Sequence, residues 1–183
     1  MPDILRYNQE LYRKFIHISS SFIAILLWIL GKDVFLPFII SATVIFLIID
    51  YLRIYIRTLE KFYFTFFGNV TRHYEYHRFS GASWVLIGAA ATIFLFNEKV
   101  AIIALLVMSL SDSAAAIIGI KYGRTYLFNK SLEGSFAFFI TSSIIIFSLS
   151  PALFIVNLIA VLISAIIELF STPNLNDNLL IPV

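Results

Sequence analysis

Long apolar segments dominate this chain of 183 residues, and each approaches the length needed to cross a bilayer. A membrane-spanning helix needs about 20 apolar residues, because each residue adds 1.5 Å to its length. Six segments qualify or come close: 15–30, 34–49, 82–96, 100–120, 135–149 and 151–167. Hydrophobic residues make up 60% of the chain, well above the roughly 45–50% of soluble domains. The pattern predicts an all-α integral membrane protein with about six transmembrane helices.

The stretch 51–70, between the second and third segments, follows a different pattern. It is long enough to span but carries Arg53, Arg57, Glu60 and Lys61. Each Arg or Lys at mid-bilayer opposes insertion by roughly 2.5–3.5 kcal/mol. The charges recur at helical spacing opposite aromatic and aliphatic residues, so we expect an amphipathic helix lying in the membrane interface.

The distribution of basic residues predicts the orientation of the chain. Six spans place the N-terminus, the 50–81 loop, the 121–134 loop and the C-terminus on one side. Eleven of the 13 Lys and Arg residues fall there, and only Lys32 and Lys99 fall on the other side. By the positive-inside rule, the basic side is cytoplasmic. We therefore expect a multi-pass protein with a cytoplasmic N-terminus and a functional site on that face.

Composition narrows the function classes. A net charge of +2, with no long basic run, gives no indication of a nucleic-acid partner. The absence of Cys excludes disulfides and thiolate metal ligands. His73 and His77 are four residues apart, but their surroundings lack the order of a zinc-protease motif. The first apolar segment is interpreted as a retained span, and no linker or repeat is visible, which predicts one polytopic domain over 1–183.

Asp112 is the only charged residue in the segment 100–120. An ionisable group inside a membrane helix is costly unless it faces a partner, a cavity or a substrate. Ala116, Gly119 and Gly123 follow four, seven and eleven positions later, on one helix face that leads to a basic loop. This segment combines a carboxylate, a helix face of small residues that leaves the backbone accessible, and a basic loop. Together these features indicate a phosphate-binding site at the membrane surface.

Other chemically capable residues reach the same membrane face under this topology. Arg13 and Lys14 precede His17 by four and three residues, so all three can share one helical turn. A helix beginning near Ser131 would present free backbone N–H groups and a positive dipole end to phosphate. Polar residues near the ends of later segments complete the set: Lys121, Lys130, Glu133, Gly134, Glu168, Asp177 and Asn178.

Each of these signals has a structural alternative. Arg13 and Lys14 would also be explained by snorkelling to the interface, which fixes orientation without chemistry. Gly119 and Gly123 would also be explained by close helix packing, for which membrane proteins use small residues. Asp112 is harder to explain structurally, because the apolar centre of each predicted span lacks a basic partner.

The same positions resemble the motifs of the CTP-dependent lipid kinases, typified by dolichol kinase, phytol kinase and the yeast-type diacylglycerol kinase. Four stretches carry the resemblance in the family's order: Glu10-Leu-Tyr-Arg-Lys-Phe-Ile-His17; Arg72-x-x-Glu75 with Ser80-Gly-Ala82; Asp112 through Gly119 and Gly123 to Lys130-Ser-Leu-Glu-Gly-Ser135; and Asp177-Asn-Leu-Leu-Ile-Pro182. Together they extend over nearly the whole chain.

Two other functions stay open at this point. Phosphatidate cytidylyltransferases share the Asp, Gly and Glu-Gly pattern, but they usually carry a Ser-Pro-Lys-Lys run and a C-terminal Asp-Arg pair. Here the run is reduced to Asn129-Lys130-Ser131 and the pair is absent, while the Arg-Lys-x-x-His opening favours the kinases. A small ion or proton-coupled transporter is disfavoured, because the outer half of every predicted span lacks an ionisable residue.

The resemblance implies phosphorylation of a membrane lipid alcohol by CTP, giving lipid monophosphate and CDP. The acceptor would be dolichol-like or polyprenol-like, another isoprenoid alcohol, or diacylglycerol, entering sideways from the bilayer. Asp112 and Glu133 would bind Mg²⁺. Asp112, Lys14 and His17 would be catalytic, with the base either His17 or Asp112. The nucleotide would be bound by Arg13, Gly119, Lys121, Gly123, Lys130, Glu133, Gly134, Asp177 and Asn178. A homo-oligomer stays open.

Overall fold

Helices form most of the protein in the computed structural model, which describes residues 7–127, 130–170 and 177–183. The longer helices are α1 (Tyr7–Ser19), α2 (Ser21–Leu30), α3 (Lys32–Tyr55), α4 (Arg57–Phe67), α5 (Gly81–Leu95), α6 (Glu98–Leu106), α7 (Asp112–Tyr122), α8 (Leu132–Leu149) and α9 (Phe154–Phe170), followed by the short α10 (Asp177–Leu180). Short turns are the 3₁₀ turns His73–Glu75 and Pro151–Leu153 and the π-helical turn Val107–Ser111. Strands β1 (Tyr126–Leu127) and β2 (Lys130–Ser131) pair antiparallel between α7 and α8.

Within the described residues, five stretches are long and apolar enough to cross a membrane: Asn8–Leu30, Lys32–Tyr55, Glu98–Tyr122, Leu132–Leu149 and Pro151–Phe170. The predicted all-α membrane fold is confirmed. The predicted span 82–96 corresponds to α5, which is apolar but has only 15 residues. At 1.5 Å per residue such a helix covers about 22 Å, less than the roughly 30 Å hydrocarbon core.

The amphipathic helix is shorter than the predicted stretch 51–70. The second span continues through Tyr55, the chain then bends at Ile56, and α4 carries the amphipathic pattern alone. Arg53 was expected in the interface, which is wrong, since it is only 2% exposed and is paired with Asp50 inside α3. The pairing removes the main objection to burying this arginine.

Small residues let α7 and α8 approach closely. A Cβ built on Gly134 would lie 2.7 Å from the carbonyl oxygen of Ala115, and one built on Gly119 would lie 2.7 Å from Ser131 Oγ. A Cβ on Gly123 would lie 2.8 Å from Ser131 Cβ. The helix-packing role considered for these glycines is therefore present in the fold.

One end of the bundle is closed by Lys32. Its backbone N–H donates to Glu98 Oε2 at 2.8 Å, and its Nζ donates to the carbonyl oxygen of Phe96 at 2.6 Å. These bonds join the start of α3 to the end of α5 and the start of α6. Asp112 lies 14 residues further along its helix, so about 20 Å separates it from this end.

Candidate active site

Asp112 forms a buried ion pair with the first helix. Its Oδ2 accepts a hydrogen bond from Lys14 Nζ at 2.5 Å. The two residues are 2% and 6% exposed, respectively. Lys14 therefore does not extend to solvent as a snorkelling side chain would. The first helix supplies the buried cationic partner that Asp112 needs, from a position 98 residues earlier in the sequence.

His17 completes this cluster one turn further along α1. Its Nε2 lies 3.4 Å from Asp112 Oδ2 and 3.1 Å from the carbonyl oxygen of Met108. Because a carbonyl oxygen only accepts, Nε2 carries the proton in this contact. In a neutral imidazole, Nδ1 is then the nitrogen with a lone pair for a further proton.

The second carboxylate oxygen of Asp112 is buried without a hydrogen-bond partner in the part of the chain that the structure describes. Leaving a buried acceptor unsatisfied costs about 1–3 kcal/mol, and more for a charged group. A carboxylate oxygen in this position can be satisfied by a bound cation or by a hydrogen-bond donor of a substrate.

A π-helical turn directly precedes Asp112. It covers Val107–Ser111 and includes Met108, whose carbonyl contacts His17. Turns of this type are rare and occur frequently at functional sites. The sequence does not reveal this turn, because neither Gly nor Pro marks the position. The turn changes the helical register between α6 and α7 just before Asp112, the residue that contacts α1.

Arg13 belongs to a neighbouring network of alternating charges. Arg13 Nε lies 3.6 Å from Glu10 Oε2, and Arg13 Nη1 lies 3.5 Å from Glu75 Oε1. Arg72 Nη2 donates to Glu10 Oε1 at 2.8 Å. Burial raises the pKa of the Glu75 carboxyl, and the nearby charges of Arg13 and Arg72 lower it in part. The network attaches α1 to the 72–75 segment, so Arg13 is engaged by carboxylates as well as being a predicted phosphate ligand.

Lys130 pairs with the last membrane helix. Its Nζ donates to Glu168 Oε1 at 2.8 Å, and Ser135 Oγ donates to Glu168 Oε2 at 2.8 Å. Glu168 is only 2% exposed. These contacts hold strand β2 and the start of α8 against α9 and bring together a lysine and a carboxylate that are 38 residues apart in the sequence.

The start of α8 lies where the sequence predicts it. Ser131 caps the helix, its Oγ accepting from the N–H of Gly134 at 3.1 Å. Glu133 Oε1 accepts from the N–H of Thr125 at 3.1 Å, which ties the loop to the helix. In the described residues no group of three or more His, Asp or Glu could hold a metal.

The remaining predicted residues are more dispersed. Lys121 is exposed, with its Nζ 5.2 Å from the centre of the Tyr122 ring. Asn178 is buried in α10, at 8% exposure. Asp177 begins α10, and its side chain lies outside the described residues.

A second buried network was not anticipated from the sequence. Asp50 accepts from the N–H of Ser80 at 2.7 Å and from Ser80 Oγ at 3.0 Å, and also from Ser83 Oγ and Arg53 Nε. Ser80 belongs to one of the stretches that resemble the lipid-kinase motifs, but its partner Asp50 does not. The signal that could have revealed it is the Asp–Arg pair three residues apart at the end of a span.

Arg53 extends this network to α4 and the loop after it. Its Nη2 donates to the carbonyl oxygens of Glu75 at 3.0 Å and Arg78 at 2.9 Å. Its guanidinium lies 4.3 Å from the centre of the Tyr63 ring, within cation–π range. Arg53 thus positions both α4 and the segment that carries Glu75.

Three relatives illustrate what the chain is similar to. CTP-dependent diacylglycerol kinase 1 of Saccharomyces cerevisiae is 36% identical over 138 residues, which cover 72% of this chain and 47% of that kinase. An uncharacterized protein of Methanocaldococcus jannaschii is 32% identical over 180 residues, covering 95% of this chain and 89% of the relative. A dolichol kinase of Schizosaccharomyces pombe is 37% identical over 115 residues, covering 55% and 22%.

The extent of the matches differs between these relatives. The chain spans about half the length of the diacylglycerol kinase but most of the archaeal relative. No family model matches the chain. No solved structure matches it either.

Proposed function

Because the chain belongs to the family of CTP-dependent lipid kinases, we propose that it transfers the γ-phosphoryl group of CTP to the hydroxyl of a membrane lipid alcohol. The products are the lipid monophosphate and CDP. The acceptor is diacylglycerol or an isoprenoid alcohol of the dolichol or polyprenol type. The observation that carries the proposal is the buried contact of Asp112 with Lys14 and His17, which puts ionisable groups inside membrane helices.

His17 is the best-supported base. In the reaction, the lipid oxygen attacks the γ-phosphorus, the bond from that phosphorus to the β–γ bridging oxygen breaks, and the hydroxyl proton leaves. The Nε2–H of His17 is directed at Met108, which leaves Nδ1 as the nitrogen that would take this proton. Asp112 is the less suitable base, because Lys14 occupies Oδ2.

Lys14 is suited to bind phosphate next to the reacting atoms. Its ammonium group has three N–H donors, of which the contact with Asp112 uses one. Charge-assisted bonds from an ammonium to phosphate oxygens stabilise the charge that spreads over the transferred group. The Asp112 carboxylate holds Lys14 in position for this role.

The orphaned oxygen of Asp112 fits a divalent cation. Mg²⁺ prefers oxygen ligands and is usually held by one or two carboxylates together with substrate phosphates. Asp112 Oδ1 would be one such ligand. Glu133, whose carboxylate accepts from the N–H of Thr125, is the proposed second. When bound, Mg²⁺ supplies neutralisation of the phosphate charge.

The nucleotide itself is assigned to the α7–α8 region and its basic loop. Lys121 and Lys130 would provide positive charge there, beside the backbone of Gly119, Gly123 and Gly134. Arg13, Asp177 and Asn178 belong to the same proposal from the family motifs. The excess of basic residues on this side favours a cytoplasmic location, where positive loops accumulate.

Labelled CTP tests the proposed reaction. Purified protein with Mg²⁺ is given CTP labelled at the α- or the γ-phosphate, together with diacylglycerol, a polyprenol or phosphatidate. We expect the γ label to enter the lipid and the α label to stay with CDP, and chelation of the cation to stop the transfer. Entry of the α label would instead identify cytidylyl transfer, and movement of neither label into any lipid would refute both reactions.

A further inference from the structure

A cavity of about 460 Å³ opens beside the first helix. It lies between α1 and helices α3, α4 and α5, and the buried Asn178 of α10 also borders it. Most of its wall is apolar and includes Ile23, Phe46, Leu59, Phe62, Val85 and Leu86. These apolar walls suit a hydrocarbon chain better than a triphosphate, whose charges would lose their hydration against them.

One edge of this cavity is polar, and it is the edge that faces the reacting groups. Lys14 and His17 both border the cavity, and both contact Asp112. Arg13 and Glu75 border it as well. A molecule in the cavity with a hydroxyl at this edge would therefore reach His17 while its apolar part stayed against α3, α4 and α5.

Helix α4 forms one wall of the cavity. If α4 lies in the membrane interface, this wall is next to the bilayer. Its side chains Leu59 and Phe62 border the cavity. Phe66, one turn beyond Phe62, does not belong to the lining, although both rings are 65% exposed and lie 5.0 Å apart. Arg53 holds α4 through Tyr63, so the position of this wall is fixed from inside the protein.

We propose that this cavity is the binding site of the acceptor lipid, with the lipid hydroxyl at the Lys14–His17 edge and its chain against the apolar face of α4. The inference rests on the proposed function and specifies where its lipid substrate binds. The two candidate lipids share one free hydroxyl next to a large apolar part, which is a pair of acyl chains in diacylglycerol and an isoprenoid chain in a polyprenol. Nucleotide and lipid would then approach Asp112 from different sides, the lipid from the cavity and CTP from the α7–α8 loop.

The absence of cysteine in the chain allows a direct binding test. Phe62→Cys and Leu59→Cys each introduce a single thiol in the cavity wall, and Phe66→Cys introduces the matched thiol beside it. The rate of alkylation by a maleimide is measured in lipid nanodiscs without CTP, with and without added diacylglycerol or polyprenol. At a lipid concentration about ten times Kd, we expect occupancy to slow alkylation about tenfold at the cavity positions. The rate at Phe66→Cys should not change.

The outcomes separate this inference from the proposed reaction, because the assay needs no phosphoryl transfer. Protection of the cavity thiols by either lipid supports the site, and the lipid that protects identifies the acceptor class. Equal protection at all three positions, or none at the cavity positions in a protein that phosphorylates the lipid, would overturn the cavity assignment alone. Protection without any transfer from CTP would support the cavity and refute the reaction.

Discussion

Replacing Asp112 by Asn is expected to lower the rate of γ-phosphoryl transfer from CTP by about 10²- to 10⁴-fold. The amide has nearly the same shape but lacks the negative charge that fits a divalent cation and pairs with Lys14. Its oxygen can still accept the hydrogen bond from Lys14, which is 2.5 Å from the carboxylate in the native protein. The variant should therefore fold, and its loss should appear in kcat. The measurement is lipid phosphorylation with γ-labelled CTP.

Glu98→Gln is the matched control for this variant. It makes the same carboxylate-to-amide change in the same membrane span, Glu98–Tyr122, but at the end where Glu98 bonds the N–H of Lys32. Because this end is about 20 Å from Asp112, transfer should be unchanged. Thermal unfolding in detergent checks that both variants fold. Native rates for folded Asp112→Asn would remove Asp112 from the mechanism.

Replacing Arg53 by Met is expected to lower the free energy of unfolding by about 3–5 kcal/mol, because it leaves the buried Asp50 without its cation. Both side chains are 2% exposed. The variant also loses the bonds to the carbonyl oxygens of Glu75 and Arg78 and the contact with Tyr63. The measurement is denaturant unfolding in mixed micelles.

Arg57→Met is the control for that loss of stability. Arg57 is the first residue of α4 and is exposed, so the same change of side chain should alter the free energy of unfolding by no more than about 0.5 kcal/mol. If Arg53→Met were as mild as this control, the buried network would not stabilise the fold as described.

Membrane class and helix content are predictable from the sequence, because a bilayer requires long apolar stretches whose backbone bonds are internal. The meeting of α1 with Asp112 was also expected, since the candidate residues were predicted to reach the same membrane face. The choice of Lys14 over Arg13 as the direct partner was not predictable. It depends on the rotation of α1, by which Lys14 turns toward α7 and Arg13 toward Glu75.

The π-helical turn and the Asp50–Arg53 network depend on tertiary contacts, which leave little trace in local patterns. Arg53 was expected in the interface because charge opposes insertion. Its partners include the carbonyl oxygens of Glu75 and Arg78, which lie 22 and 25 residues later in the sequence. Insertion scales count an arginine by itself, whereas the fold provides it with a carboxylate, two carbonyl oxygens and an aromatic ring.

A double-mutant cycle on Lys14→Met and Asp112→Leu measures the contact between the first helix and the membrane carboxylate most directly. Each single variant leaves one buried charge unpaired and is expected to lower the free energy of unfolding by about 3–5 kcal/mol. The double variant removes both charges, so we predict that it is more stable than either single variant. If the two effects on the free energy of unfolding were additive to within about 0.5 kcal/mol, Lys14 and Asp112 would not interact. That result would contradict the proposed site.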